Sequence, residues 1–378
     1  MTSRERLLTV LHGGIPDCVP VAPDTSNMIP ARLTGKPFWD MYLYNDPPIW
    51  EAYVDCVKHF NVDALVDGYI PLTFPEEIPS DRDEYERFIV FRSDMRIITQ
   101  SSRIVKNTRE WSPTVDVFYV ADSPTWRVPV GKIGLPAVPE KYEPLEGVRE
   151  TDTGPDGFRG LKDRLGDQGL LGAFVTSTSA LRNERDIFDY YDHPELHERW
   201  AAERLERAEE RFQRVMSMET RPDFIAVGGS GTLVFQTVDI FRQLALPAVK
   251  RIIELANAEG LPTHVHSCGP EKELVRIMAD ETDITVIDPL EIPPMGDCDL
   301  AELKRLYGDR IVLKGNLHTT TTMLDGSTDD VVAASRKAID DAAENGRFIL
   351  STGDQCGRDT PDENIHAMIE TARTYGRY

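Results

Sequence analysis

Eight short apolar runs rich in β-branched residues recur along the chain, each closing on a cluster of Gly, Ser, Asp, Asn or Pro, and most lead into residues with helical spacing. They are DCVPVAP (17–23), VDALVDG (62–68), GLLGAFVTS (169–177), DFIAVGG (223–229), LPTHVHS (261–267), DITVIDP (283–289), RIVLKGN (310–316) and RFILSTG (347–353). A strand of a parallel sheet is covered on both faces, so it reads as a continuous apolar run rather than an alternation. Strands that alternate with helices build such a sheet, and eight of them predict an α/β fold closed as a (β/α)8 TIM barrel rather than an open doubly wound sheet.

The helical segments between the runs carry end signals. Thr360-Pro361-Asp362-Glu363 has a capping-box pattern with Pro at the first helical position, Ser327 is placed to cap the segment holding Val331, Val332 and Ala334, and Gly308 fits the stop after DLAELKRLY. About a hundred residues between the second and third runs break the rhythm. Within them ERFIVFRS (86–93) and RIITQSSRIVKN (96–107) are strand-like, and a Pro-rich stretch follows at 128–144. The expectation is a single barrel domain over 1–378 with a large insertion after the second strand, at 71–165, lying on the barrel rim and containing antiparallel strands.

Composition narrows the function classes. Lys and Arg number 42 against 64 Asp and Glu, a formal net charge of -22. Sequence-independent phosphate binding replaces counterions with clustered cations, so a nucleic-acid partner is not expected. No run of 18 apolar residues is present, so no membrane partner is expected either. The opening MTSRERLLTVLHGG reads as a first helix rather than a signal peptide. Five scattered cysteines, an odd number, fit reduced thiols or metal ligands better than a disulfide framework, and the expected location is the cytoplasm.

Barrel enzymes gather their chemistry where strands end and βα loops begin. Reading just past each run gives Asp24 and Asn27, Asp67 and Tyr69, Thr178, Ser230, His266 and Cys268, Asp288, Asn316 and His318, and Cys356. His266 and Cys268 project to the same side of an extended segment, and His264 shares that side if the strand stays regular. Both Cys268 and Cys356 stand shortly before a helix start, which favours the thiolate. Two thiolates and an imidazole suit Zn2+, and three protein ligands leave the fourth tetrahedral position for a substrate atom. The alternative is that these cysteines are small core hydrophobes, the reading that also suits Cys18 and Cys56. Asp67 and Asp288 are candidate catalytic acids or bases, or else helix caps. Asn27, Tyr69, Ser230, His264, Asn316 and His318 are candidate substrate-binding positions. His193 and His197, four apart, lack the Glu of a zinc-protease pattern and read as a surface pair.

At IFRQLALPAVKRIIELANAEGLPTHVHSCG, GDCDLAELKRLYGDRIVLKGNL and FILSTGDQCGRDTPDENI, and again at RERLLTVLHGGIPDCVPV, the sequence resembles the uroporphyrinogen decarboxylase superfamily, specifically its zinc- and corrinoid-dependent methyltransferase branch. The branch's His-x-Cys and distant Cys fall on His266, Cys268 and Cys356, with 87 residues between the two cysteines. The porphyrin decarboxylases of the superfamily lack that set and carry arginines after the first strand, where this chain reads VAPDTSNMIPARL with Arg32 alone. The resemblance implies methyl transfer between a small molecule and the cobalt of a corrinoid. No Asp-x-His-x-x-Gly corrinoid segment occurs here, so the corrinoid would arrive on a partner protein. Two directions are open. An O-methyl ether donor, as in an O-demethylase, is the favoured expectation, with Trp111, Trp126, Tyr69 and Phe174 placed to flank an aromatic substrate. A thiol acceptor of the coenzyme M type is the alternative, and a metal-free lyase of the decarboxylase kind is a third. His264, Asp288 or a substrate atom are open choices for the fourth zinc position.

Overall fold

In the computed structural model, which describes residues 1–67, 72–78 and 84–378, all eight apolar runs become members of one parallel ring. Strand β1 (Ala64–Val66) precedes five strands of a separate sheet, β2 (Tyr85–Arg92), β3 (Arg96–Val105), β4 (Thr108–Tyr119), β5 (Thr125–Pro129) and β6 (Glu143–Pro144). Then come β7 (Gly169–Phe174), β8 (Phe224–Ala226), β9 (Thr263–His266), β10 (Val286–Asp288), β11 (Val312–Leu317) and β12 (Phe348–Thr352). The parallel order is β1-β7-β8-β9-β10-β11-β12. The eighth place is filled by residues 20–22, where Val21 bridges Leu350 in parallel and the backbone carbonyl of Val21 accepts the Asp63 N–H just before β1. This member is a single bridge rather than a full strand because Pro20 and Pro23 have no N–H to donate to a ladder. The fold is the (β/α)8 barrel expected from the pattern.

The chain divides into two compact units, the first comprising Met1–Asp24, Val57–Gly68 and Lys162–Tyr378 and the second Thr25–Cys56 and Tyr69–Leu161. In the first, the helix Ser3–Leu11 opens with a capping box between Thr2 and Glu5. Its Leu7, Val10 and Leu11, spaced three and four apart, pack with Leu170, Phe224, Val286, Val312 and Ile349. Those partners lie at or near the amino-terminal starts of their strands, so the helix covers that end of the ring and leaves the carboxyl ends for chemistry. Burying each large side chain there contributes roughly 1.5–3 kcal/mol.

The second unit holds the antiparallel sheet β5-β4-β3-β2-β6. The two strand-like stretches at 86–93 and 96–107 form its central hairpin, β2 on β3. Adjacent residues of a strand point to opposite faces, and Ile97 and Ile98 accordingly enter two different clusters, one with Leu43, Ile89 and Phe118, the other with Val115 and Val117. Of the expected 71–165 insertion, the part up to Leu161 shares a unit with Thr25–Cys56, whose Leu43, Trp39 and Tyr42 supply part of its core, while Lys162 onward belongs to the first unit.

Candidate metal centre

Strands β9, β10 and β11 bring the chemistry of the first unit to one level. Asp288 of β10 is in register with His266 of β9, and Ile287 with Leu313 of β11, which sets Lys314 beside Asp288. Asp288 is 2 % exposed and Lys314 6 %. One carboxylate oxygen, Oδ1, lies 2.8 Å from His264 Nε2 and 3.1 Å from His266 Nδ1, while Oδ2 pairs with Lys314 Nζ. His264, two residues down β9, turns its Nδ1 to Asp67 Oδ2 at 2.8 Å. Burial opposes charging every member, and the neighbours of opposite sign win: His264 is pushed up to about 9, and Asp67 and Asp288 are held below the usual carboxylate range. The carboxylates of Asp67 and Asp288 are therefore balanced by His264 and Lys314 below the mouth of the ring.

The ligand candidates stand above this network. His266 directs Nε2 toward Asp354 Oδ1, 3.8 Å away. Cys268 is part-exposed beside Ser230 and Gly231, whereas Cys356 is 1 % exposed beside Thr352 and is fixed by its N–H to Asp24 O at 2.9 Å. Burial first, and the charge of Asp354 among other carboxylates, raise both thiols, Cys356 to about 12. Asp354 acts electrostatically on His266, Cys268 and Cys356 alike. Among the described residues no three His, Cys, Asp or Glu side chains are already drawn together as a metal shell. The donor set nevertheless fits one: a ring nitrogen tied to a carboxylate leaves the other free for a metal, and two sulfurs complete a zinc-type group.

The remaining sequence candidates fall as follows. Asn316 donates to Leu290 O, and His318 Nδ1 accepts the Thr320 and Thr321 N–H groups at 3.1 Å each. These two side chains line a shallow crevice with Glu291, Met295 and Gly353. Asn27 belongs to the second unit, at the start of the helix Met28–Leu33. Tyr69 lies outside the described residues. Asp67 and Asp288 cap no helix. Trp111 packs against Phe88 and Tyr142, and Trp126 against Phe118, while Phe174 is 43% exposed at the end of β7. His197 is buried, not on the surface as its spacing predicted, because it stacks on Tyr190 and bonds the Tyr190 carbonyl.

Sequence reading missed Lys314 and Asp354. Lys314 had a signal, since a lone cation inside the apolar run RIVLKGN needs a buried partner. Asp354 had only its place two residues before Cys356.

Residues 230–375 match the profile of the family described as uroporphyrinogen decarboxylase (URO-D). Over about a third of its length the chain is also similar to two named enzymes. Methylcobamide:CoM methyltransferase MtbA of Methanosarcina mazei is 27% identical over 139 residues, 36% of this chain and 37% of that protein. Methylcobamide:CoM methyltransferase MtaA of Methanosarcina barkeri is 30% identical over 138 residues, again 36% and 37%. The chain resembles the methyltransferase branch of the uroporphyrinogen decarboxylase superfamily. Its matched stretch spans about 37% of the length of these curated relatives. A solved structure, a methyltransferase from Methanosarcina mazei, covers 99% of both chains at a TM-score of 0.62 and 16% identity, and so shares the fold. Of the residues discussed above, His266, Cys268, Asp288, Lys314, Asp354 and Cys356 all lie within the family match.

Proposed function

We propose that the chain is a zinc-dependent methyltransferase that moves a methyl group between a small molecule and the cobalt of a corrinoid held by a partner protein. The placement of His266 at the carboxyl end of β9, with its Nδ1 tied to Asp288, and of Cys268 and Cys356 just past the ends of β9 and β12, supports this reading. His266 Nε2 and the two sulfurs would hold the ion, which supplies positive charge that keeps a bound thiol as thiolate or polarises an ether oxygen. Three protein donors leave room for that small molecule. Asp288 orients His266; Asp67 holds His264 from the far side. Both carboxylates thereby act as positioning groups. Asn316 and His318, beside Glu291, would meet the small molecule's remaining atoms.

That the relatives are methylcobamide:CoM methyltransferases supports a thiol as methyl acceptor. In that direction sulfur takes the methyl group and the bonding electron pair stays on cobalt. The ether-donor expectation drew on Trp111 and Trp126, which are engaged in packing within the second unit. Anaerobic incubation with methylcobalamin and a panel of thiols, followed by the loss of the methyl–cobalt absorption, tests the direction. Thioether formation that disappears in the Cys268→Ala variant is expected. Turnover only of methoxyarenes with reduced cobalamin would reverse the direction, and activity indifferent to a chelator would favour the metal-free lyase.

A further inference from the structure

Lys314 touches none of the three ligand candidates, yet it is a buried cation on the same level of the ring as His266. A lone ammonium in this position costs several kcal/mol unless it is paired, and its partner is Asp288 Oδ2. The opposite oxygen of that carboxylate serves both histidines. A carboxylate rotates about its Cβ–Cγ bond, and two histidines on one oxygen do not fix that rotation. A cation on the other oxygen does. With Oδ2 anchored, Oδ1 faces His266 Nδ1, which then carries the proton, and Nε2 is left as the ring's lone-pair nitrogen on the side of Asp354.

We infer that Lys314 is a positioning residue for His266, acting through Asp288: it fixes the carboxylate so that His266 presents Nε2 to the metal. The inference rests on the reading of His266 as a ligand. Lys314 therefore controls how well the ion is held without contacting it, and Asp67, by holding the other side of His264, completes the frame.

A double-mutant cycle on metal affinity tests this. Metal-free wild type, Lys314→Met, Asp288→Asn and the double variant are titrated with Co2+ against a chromophoric chelator, with the visible spectrum recorded and thermal unfolding of each metal-free protein measured alongside. Lys314→Met and Asp288→Asn should each weaken binding by about 10- to 100-fold, the range for loss of a group that orients a ligand. The double variant should be no weaker than the worse single one, since both act on one contact. Lys314→Gln, which keeps a donor for Oδ2, should recover most of the affinity, and Lys314→Leu, which also removes the donor, serves in place of Lys314→Met if that protein does not fold. Wild-type affinity and spectrum in Lys314→Met, or losses that add in the double variant, would overturn the inference. His266→Ala separates the two levels: if it binds Co2+ like wild type, the ligand reading itself fails.

Discussion

Asp354 adopts a backbone φ of 91°, in the left-handed region that side chains other than glycine enter at a cost. Such positions persist where surrounding structure holds them, and this one places a carboxylate 3.8 Å from His266 Nε2. Two substitutions separate its two contributions. Asp354→Gly and Asp354→Ala both remove the carboxylate, but alanine keeps the backbone cost, so by chemical denaturation Asp354→Ala should be less stable than Asp354→Gly by about 1 kcal/mol. Equal stabilities would show that the conformation relaxes. At the ligands, Cys268→Ala should lose bound zinc together with methyl transfer, measured by metal analysis of the purified protein; full zinc retention would remove Cys268 from the site. The histidine and the cysteines were legible in the sequence because strand ends and extended alternation say where such residues point. Lys314's role was not, because its partner Asp288 is 26 residues away and only parallel register sets the two side by side.

Among the elements, the eight ring members were readable because parallel strands carry continuous apolar runs, and the one that shrank to a bridge did so at its prolines. Helix ends were readable where a side chain makes the cap. Ser327 forms the expected capping box, with Asp330, at the helix Thr328–Ala342. Ser327→Ala should therefore cost about 1 kcal/mol in a urea titration while leaving metal content unchanged, and a loss of metal would tie this distant helix to the centre. The pattern at Thr360 misled: the last helix runs Asp362–Thr374, Pro361 is its N-cap, and no side chain caps it. A side-chain cap needs a hydroxyl, amide or carboxylate oxygen at the N-cap position, and here that position is taken by Pro361. The second unit was the least legible part, since its core is shared between β-strands and the helices of Thr25–Cys56, which are far from them in sequence.

Over the whole molecule, a net charge of -22 makes acid the natural stress. Asp223 is the clearest acid-sensitive clamp in the first unit: it accepts two bonds from Arg4 at 2.6 and 2.8 Å and one from the Leu171 N–H, and pairs with Lys162. Burial opposes its charge, but these partners hold its pKa below the usual value. Its stabilisation is thus present above the unfolded value near ~3.9 and is lost as pH falls through the folded value. Asp223→Asn should destabilise the protein at neutral pH by on the order of 3 kcal/mol and flatten the loss of stability in the acid range, as followed by thermal unfolding at several pH values; an unchanged acid profile would assign that loss to other carboxylates. No helix among the described residues is long and apolar enough to cross a membrane. The central claim is that one zinc ion is held by His266, Cys268 and Cys356. X-ray absorption at the zinc edge of the purified protein reads that shell directly. Two sulfurs at about 2.3 Å and a histidine nitrogen at about 2.0–2.1 Å are expected, and a shell of nitrogen and oxygen without sulfur would contradict it.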